Sequence, residues 1–539
     1  MPNSSKTIQR NNNDLFLNTF KLLTIVLILI GIFLRFSNLD EKIFWADETF
    51  TYLRIYGHTK ADLMQEVVNS QILTAKTLLE KYQSPTVGKT IIDTIKGLAI
   101  EDPKHPPLYF LLTRLWVQFF GSTVAATRSF SAFIGVLVFP SLYWLCQELF
   151  QSRIVGLMAI ATIAVSPFHL VYAQEARMYS LYTLIVLLSS AALLRAMRLN
   201  TKLSWSIYSI TLFLGFYTHL LFSLVAIGQL IYIVSNQGSR TSKILIAYLK
   251  SLLAGILPFL PWLFLIIIRL DKVQETIEWA KYTLPLNDIL DGWQIHWARN
   301  FFDITTQYSY PDKLQNNLWF LIIRFLVFLL FYAIYFLREK TPKTTWSFVV
   351  ILISVTALTQ AVPDLIFGGI RSIQMRYAIP VYLGCHLSIA YLFAQKTILS
   401  PDKKIDKYLW RLLLVVIICL EIISCLIILP KNTWWNKAYS SDNIPIVNII
   451  KQSPNPLIIC SDCGQDWGWG NVLSISHLLE PKTKFQLFSG VNIKQNPDTF
   501  SDLFFLNGSQ ELQDTLKKEH NWEIAPVFKN SQSLWKLKN

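Results

Sequence analysis

Long apolar runs alternate with short polar and basic segments from Phe20 to Leu429. A helix needs roughly 20 apolar residues to cross a bilayer, and runs of that kind recur too often for one soluble core. They are continuous rather than alternating with period two, which argues for helices and against a membrane β-barrel. The pattern predicts eleven spans: Phe20–Phe36, Ser129–Phe150, Ile154–Val171, Leu181–Met197, Trp205–Tyr217, Leu220–Val234, Leu252–Ile268, Leu318–Leu337, Trp346–Val362, Tyr377–Ala394 and Leu412–Leu429. A twelfth apolar piece, Pro106–Phe120, is short and carries Arg114 in its middle.

Charge decides how that piece is read. With Pro106–Phe120 kept out of the count, Arg153, Arg195, Arg198, Lys202, Arg240, Lys243, Lys250, Arg338, Lys340, Lys343 and Lys396–Arg411 all fall on one side. Basic loops mark the cytoplasmic face. A crossing there would invert every later loop, so Pro106–Phe120 reads as an interfacial or re-entrant helix. The polar stretch Met1–Thr19 is then cytoplasmic. The first run ends Leu34-Arg35-Phe36 with no small-residue cleavage site, and reads as a retained span.

Two segments break the alternation. Residues 37–105 form a long outer loop with amphipathic pieces at Ala61–Lys81 and Thr90–Ile100, expected as helices on the membrane surface. Residues 430–539 are polar, rich in Pro, and contain β-like runs at Pro456–Cys460 and Phe485–Phe488. The expected architecture is an α-helical polytopic membrane protein of about 11–12 transmembrane helices (residues 20–429) with a small extracytoplasmic α/β domain after it.

Composition agrees. The chain of 539 residues is 52% hydrophobic and only 16% charged, against about 25% charged in soluble domains. The formal charge of +14 would suit nucleic acid, but loop Lys and Arg that set membrane orientation explain it, so no nucleic-acid partner is expected. The 17 Trp, 22 Tyr and 35 Phe fit interfacial belts and lipid contact.

Candidate chemistry collects on the outer face. Asp47 and Glu48, in Phe44-Trp45-Ala46-Asp47-Glu48-Thr49, follow the first span. Carboxylates at a bilayer boundary are costly and usually functional, and one could take a proton from an attacking hydroxyl. The alternative is a solvated loop start. His105, in Asp102-Pro103-Lys104-His105-Pro106-Pro107, is a candidate phosphate donor or metal ligand, or else a loop cap. Glu175, Arg177 and Tyr179 lie in Ala173–Ser180, and Arg128 opens the second span. Arg371, Arg376 and Tyr377 share a late outer loop. Arg suits phosphate, and Arg on the outer face runs against the positive-inside trend; snorkelling ion pairs are the bland explanation.

The order FWADETF, HPPLYF, TRSFSAFIG, SPFHLVYAQEARMYS and RSIQMRYAIP resembles the polytopic GT-C glycosyltransferases, over about Phe20 to Ala394. The bacterial family 39 type is nearest, including protein mannosyltransferases and the aminoarabinose transferase of lipid A. The resemblance implies a polyprenyl monophosphate sugar donor and a catalytic base at the first-loop Asp, here Asp47 with Glu48 beside it. It implies that Arg128, Arg177 and Arg376 serve the donor phosphate, with Arg371 as a further candidate and Tyr179 and Tyr377 nearby. The chain departs from the mannosyltransferases in lacking an extra lumenal domain in a later loop. The acceptor, whether lipid, glycan or protein, therefore stays open, as does a divalent metal cofactor. Membrane lipids are the remaining expected partners.

Cys460-Ser461-Asp462-Cys463 is a CxxC in the outer domain, read as a local disulfide or two free thiols. A transporter should show paired repeats and broken midplane helices, and none is visible. An envelope-assembly protein would need no carboxylate pair.

Overall fold

The computed structural model describes residues 3–69, 72–236, 241–306, 318–399, 404–461, 466–488, 499–507, 513–514, 517–518 and 523–538. Each of the eleven apolar runs is helical. Seven helices are long and apolar enough to cross a membrane: Phe16–Phe36, Val124–Phe150, Tyr179–Leu199, Lys243–Ile268, Leu318–Lys340, Lys343–Phe367 and Ile405–Ile428. An eighth span forms if Arg153–Ala164 and Pro167–Ala173, bent by 63° at their junction, count together. Pro167 has no N–H to continue the helical ladder, and the Ser166 hydroxyl bonds instead to the Asn300 carbonyl at 2.7 Å. The other three runs are shorter helices, Lys202–Thr218, Phe222–Asn236 and Ile379–Ala394. The chain is a multi-pass membrane protein.

Helix starts follow local chemistry. Thr123 and Ser152 cap their helices through side-chain oxygens, and Thr201 with Ser204 forms a reciprocal box. The first helix meets Arg153–Ala164 at Gly31, where a Cβ would collide with the Ala164 carbonyl. Arg35 then closes the contact by donating to the Gly31 and Ala164 carbonyls.

Leu108–Phe120 has 13 residues, about 20 Å of helix, too short for a hydrocarbon core of about 30 Å. Arg114 points into the loop layer, donating to Ile55 O at 2.5 Å and Lys89 O at 2.6 Å. Phe119 and Phe120 at its end are exposed.

The loop layer differs from expectation at one point. Ala61–Lys81 is two helices, Lys60–Asn69 and Ala75–Tyr82, separated by a strand. That strand, β1 (Ile72–Thr74), joins a six-stranded sheet with β2 (Pro456–Ser461), β3 (Lys484–Phe488), β4 (Asp502–Leu506), β5 (Glu523–Lys529) and β6 (Ser533–Lys538). The order is β1-β3-β2-β4-β6-β5. The β3-β2-β4 centre is parallel, while β1, β6 and β5 pair antiparallel. So the sheet is not built from residues 430–539 alone. A hydrophobic core joins Leu53, Leu78 and Tyr82 of the loop to Ile458, Trp469 and Phe485 of the sheet layer. Cys460, on β2, is disulfide-bonded, and Cys463 lies outside the described residues.

Candidate active site

Asp47 and Glu48 occupy the first turn of the Ala46–Ile55 helix, where the helix dipole favours negative charge. The helix start is held from the C-terminal layer. Ala46 N donates to Ser440 Oγ at 3.1 Å, and Thr49 Oγ1 donates to Gly470 O at 3.2 Å. The two carboxylates face different surroundings.

Glu48 is fully buried and saturated with cations. Arg128 forks onto it, Nε to Oε1 at 2.7 Å and Nη2 to Oε2 at 2.6 Å. Lys437 Nζ reaches Oε2 at 2.6 Å, and Ala176 N donates to Oε1 at 2.8 Å. Burial alone would raise its pKa, but Arg128 and Lys437 overcome that and bring it down to about 2.

Arg128 is equally occupied. Its remaining N–H groups go to the carbonyls of Leu39, Lys42 and Ile43 at 2.6–2.9 Å. A guanidinium has five N–H donors, and all five are used. The expected contact of Arg128 with a donor phosphate is therefore not available in this geometry. Arg128 instead staples the 37–45 loop to Glu48. The expected chemical role for Glu48 meets the same difficulty, since both its oxygens are engaged.

Asp47 is 9% exposed and sits among cations that have capacity left. Arg376 Nη1 donates to Asp47 Oδ2 at 3.0 Å, and Arg177 Nη2 lies 3.7 Å from the same oxygen. Burial pushes the Asp47 pKa up, but Arg177 and Arg376 outweigh it and hold it below the usual range. The Nε atoms of both arginines are buried without a partner among the described residues. Arg376 is also wrapped by the rings of Tyr179, Trp279 and Tyr377 at 5.4–6.0 Å.

His105 joins this group. Its Nδ1 is 2.7 Å from Asp102 Oδ2, and its Nε2 is 3.3 Å from Arg177 Nη2. The guanidinium can only donate, so Nε2 accepts and Nδ1 carries the proton. Burial lowers the His105 pKa against the pull of Asp102, in keeping with a neutral ring. Glu175 is fully buried, and burial raises its pKa to about 7. Arg371 is drawn elsewhere, to Asp364 Oδ1 at 2.9 Å.

A cavity of about 640 Å³ opens beside Arg376, within the range of about 300–1,000 Å³ usual for small-molecule sites. Its wall includes Trp45, Tyr282, Gln374, Arg376, Asn436 and Tyr439. Among the described residues no group of three or more His, Cys, Asp or Glu is placed to hold a metal ion. The structure thus brings together Asp47, Glu48, His105, Arg128, Glu175, Arg177, Tyr179, Arg376 and Tyr377, and leaves Arg371 apart.

Three groups escape sequence reasoning: Lys437, Asn436 and Asp102. Lys437 and Asn436 follow the last apolar run in Thr433-Trp434-Trp435-Asn436-Lys437. The Trp pair marks a membrane boundary, but nothing local says that the next two side chains turn back towards Glu48 and Glu175.

A family profile described as dolichyl-phosphate-mannose-protein mannosyltransferase matches residues 104–264, under a third of the chain. ArnT from Cupriavidus metallidurans in the apo state aligns over 96% of this chain and 98% of its own, at 11% identity and TM-score 0.51. The chain has the GT-C fold. ArnT bound to undecaprenyl phosphate aligns at 12% identity over 97% and 98% of the two chains, with TM-score 0.47. The archaeal oligosaccharyltransferase AglB from Archaeoglobus fulgidus, in complex with an inhibitory peptide and a dolichol-phosphate, aligns at 13% identity over 88% and 64%, with TM-score 0.48. No curated protein sequence matches. The matched family and these structural neighbours are glycosyltransferases.

Proposed function

We propose that this GT-C protein transfers a sugar from a polyprenyl-phosphate carrier to a hydroxyl acceptor at the extracytoplasmic membrane face. The observation that carries the reading is Asp47 paired at 3.0 Å with Arg376, which itself lines the cavity. The acceptor oxygen forms a bond to the anomeric carbon, the bond from that carbon to the phosphate oxygen breaks, and the acceptor proton passes to Asp47. The lipid monophosphate leaves, and the configuration inverts.

An arginine-paired carboxylate is a poor base until that pairing is relieved. A donor phosphate offers Arg376 and Arg177 a second anion, which draws positive charge off Asp47 and raises its proton affinity as the donor arrives. The same arginines then offset charge on the departing phosphate. His105 holds Arg177 in place through its Nε2. Glu48, Arg128 and Lys437 fix the helix that presents Asp47.

The matched family is named for a dolichyl-phosphate sugar donor, and the matched segment contains His105, Arg128 and Arg177. The Cys460 disulfide suits an oxidising compartment, which supports an extracytoplasmic site. The reading is tested with purified protein and a panel of undecaprenyl-phosphate hexoses and pentoses, following release of undecaprenyl phosphate. Arg376→Ala should raise the donor KM by roughly 30-fold or more, equivalent to about 2 kcal/mol, with the acceptor KM little changed. An unaltered donor KM removes Arg376 from the phosphate site.

A further inference from the structure

Glu175 lies in the short connection between the Pro167–Ala173 and Tyr179–Leu199 helices and is fully buried. The only hydrogen bond to its carboxylate among the described residues comes from Asn436 Nδ2, which donates to Oε2 at 2.9 Å. Glu175 Oε1 and Asn436 Oδ1 are both buried without a partner among the described residues. Asn436 also lines the cavity beside Arg376. A buried acceptor without a donor is a cost that a bound group can relieve.

We propose that Glu175 is a positioning residue: its carboxylate accepts from Asn436 and so sets which way the Asn436 amide faces, leaving the amide oxygen to receive a substrate hydroxyl. The inference rests on the glycosyltransferase reading for the nature of that substrate. An amide presents a carbonyl on one side and an NH2 on the other. While Glu175 is ionised, flipping the amide would set Oδ1 against a carboxylate oxygen, two acceptors face to face. Once Glu175 is protonated, its O–H can donate to Oδ1, and the flip is favoured. A substrate hydroxyl that reaches the amide would then meet a donor in place of an acceptor.

The charge around Glu175 places this change near neutrality. Burial favours the protonated form, and so do Glu48 and Asp47 from the Ala46–Ile55 helix. Lys437, from the same turn as Asn436, and the Asn436 bond favour the carboxylate. Arg128 and Arg177 also interact electrostatically with it. The balance leaves Glu175 near pH 7, so the proton is gained as pH falls below that value and the acceptor orientation is lost.

Two measurements test this on the full-length protein in detergent. Infrared difference spectroscopy follows the protonated carboxyl band from about pH 5 to 9, spanning the displaced titration. The band assigned to Glu175 is the one absent from Glu175→Gln. In Asn436→Leu its midpoint should move up, because the carboxylate loses its donor. The second measurement is the KM for an undecaprenyl-phosphate hexose. In the unaltered protein it should be about tenfold higher at pH 6 than at pH 8, since the competent form falls to about a tenth, with kcat changing much less. Glu175→Ala should raise KM across the range. Glu175→Gln, whose amide oxygen still accepts from Asn436, should recover much of that loss and flatten the pH profile. An unmoved infrared midpoint in Asn436→Leu, or a Glu175→Gln profile as steep as that of the unaltered protein, overturns the proposal. If the unaltered protein releases no lipid phosphate from any donor, the glycosyltransferase reading fails, and the infrared midpoint still decides the link between Glu175 and Asn436.

Discussion

Replacing Arg128 separates a structural clamp from a substrate contact. In Arg128→Met the side chain keeps most of its length but has no N–H donors. Glu48 keeps only Lys437 and Ala176 N, and the carbonyls of Leu39, Lys42 and Ile43 lose their donor. Removing one partner of a buried ion pair costs about 3–5 kcal/mol, and the stranded carbonyls add to this in a non-additive way. Arg128→Lys restores charge but only three donors on a single atom, so it cannot hold Glu48 and three carbonyls together. The expected result is a fall in thermal midpoint of about 4 °C for Arg128→Met in a chain of this size, read by dye-free fluorescence in detergent, with an intermediate fall for Arg128→Lys. Arg376→Ala gives the contrast. It removes the Asp47 bond and the ring contacts of Tyr179, Trp279 and Tyr377 while Asp47 keeps Arg177, costs about 2 kcal/mol in stability, and loses activity by about 10²–10³-fold. If Arg128→Met keeps the unaltered midpoint and only weakens binding of undecaprenyl phosphate, the clamp argument is wrong and Arg128 serves the donor.

Asp47→Asn should abolish transfer while the protein still elutes as a monodisperse peak, because the amide keeps the size but takes no proton; near-normal turnover would remove Asp47 as the base. Glu48→Gln should lower stability above all. Because the Glu48 pKa is depressed to about 2, its contribution is present above the ordinary glutamate range and is lost as pH falls towards 2, so the midpoint difference between Glu48→Gln and the unaltered protein should shrink on acidification. In a background lacking the exposed Cys419, Lys451→Cys should react with an impermeant maleimide in intact cells and Lys340→Cys only after permeabilisation; the reverse pattern contradicts the extracytoplasmic site.

The helical bundle was legible because apolar runs bounded by basic loops carry a strong signal. Pro456–Cys460 was readable as a strand because Leu457, Ile458, Ile459 and Cys460 form one buried apolar run, and Phe485–Phe488 because three apolar residues surround a single Gln. β1 was not, because Ile72–Thr74 is too short to show a period and pairs with a segment some 400 residues away. Within the site, residue types pointed to convergence but not to assignment. Arg128 and Arg376 look alike in sequence, and only the fold of residues 37–45 around the first uses up its donors. Asn436 and Lys437 follow two tryptophans with no periodicity, so their return to Glu175 and Glu48 is a long-range fact that no local pattern encodes.

Donor choice tests the central claim most directly. Purified protein, stripped of endogenous lipid carriers, is given an undecaprenyl-phosphate sugar in one reaction and the matching nucleotide sugar in another. Transfer should occur from the lipid-linked sugar alone, with undecaprenyl phosphate released in step, and should vanish in Asp47→Asn. Transfer from the nucleotide sugar with no lipid intermediate present would contradict it.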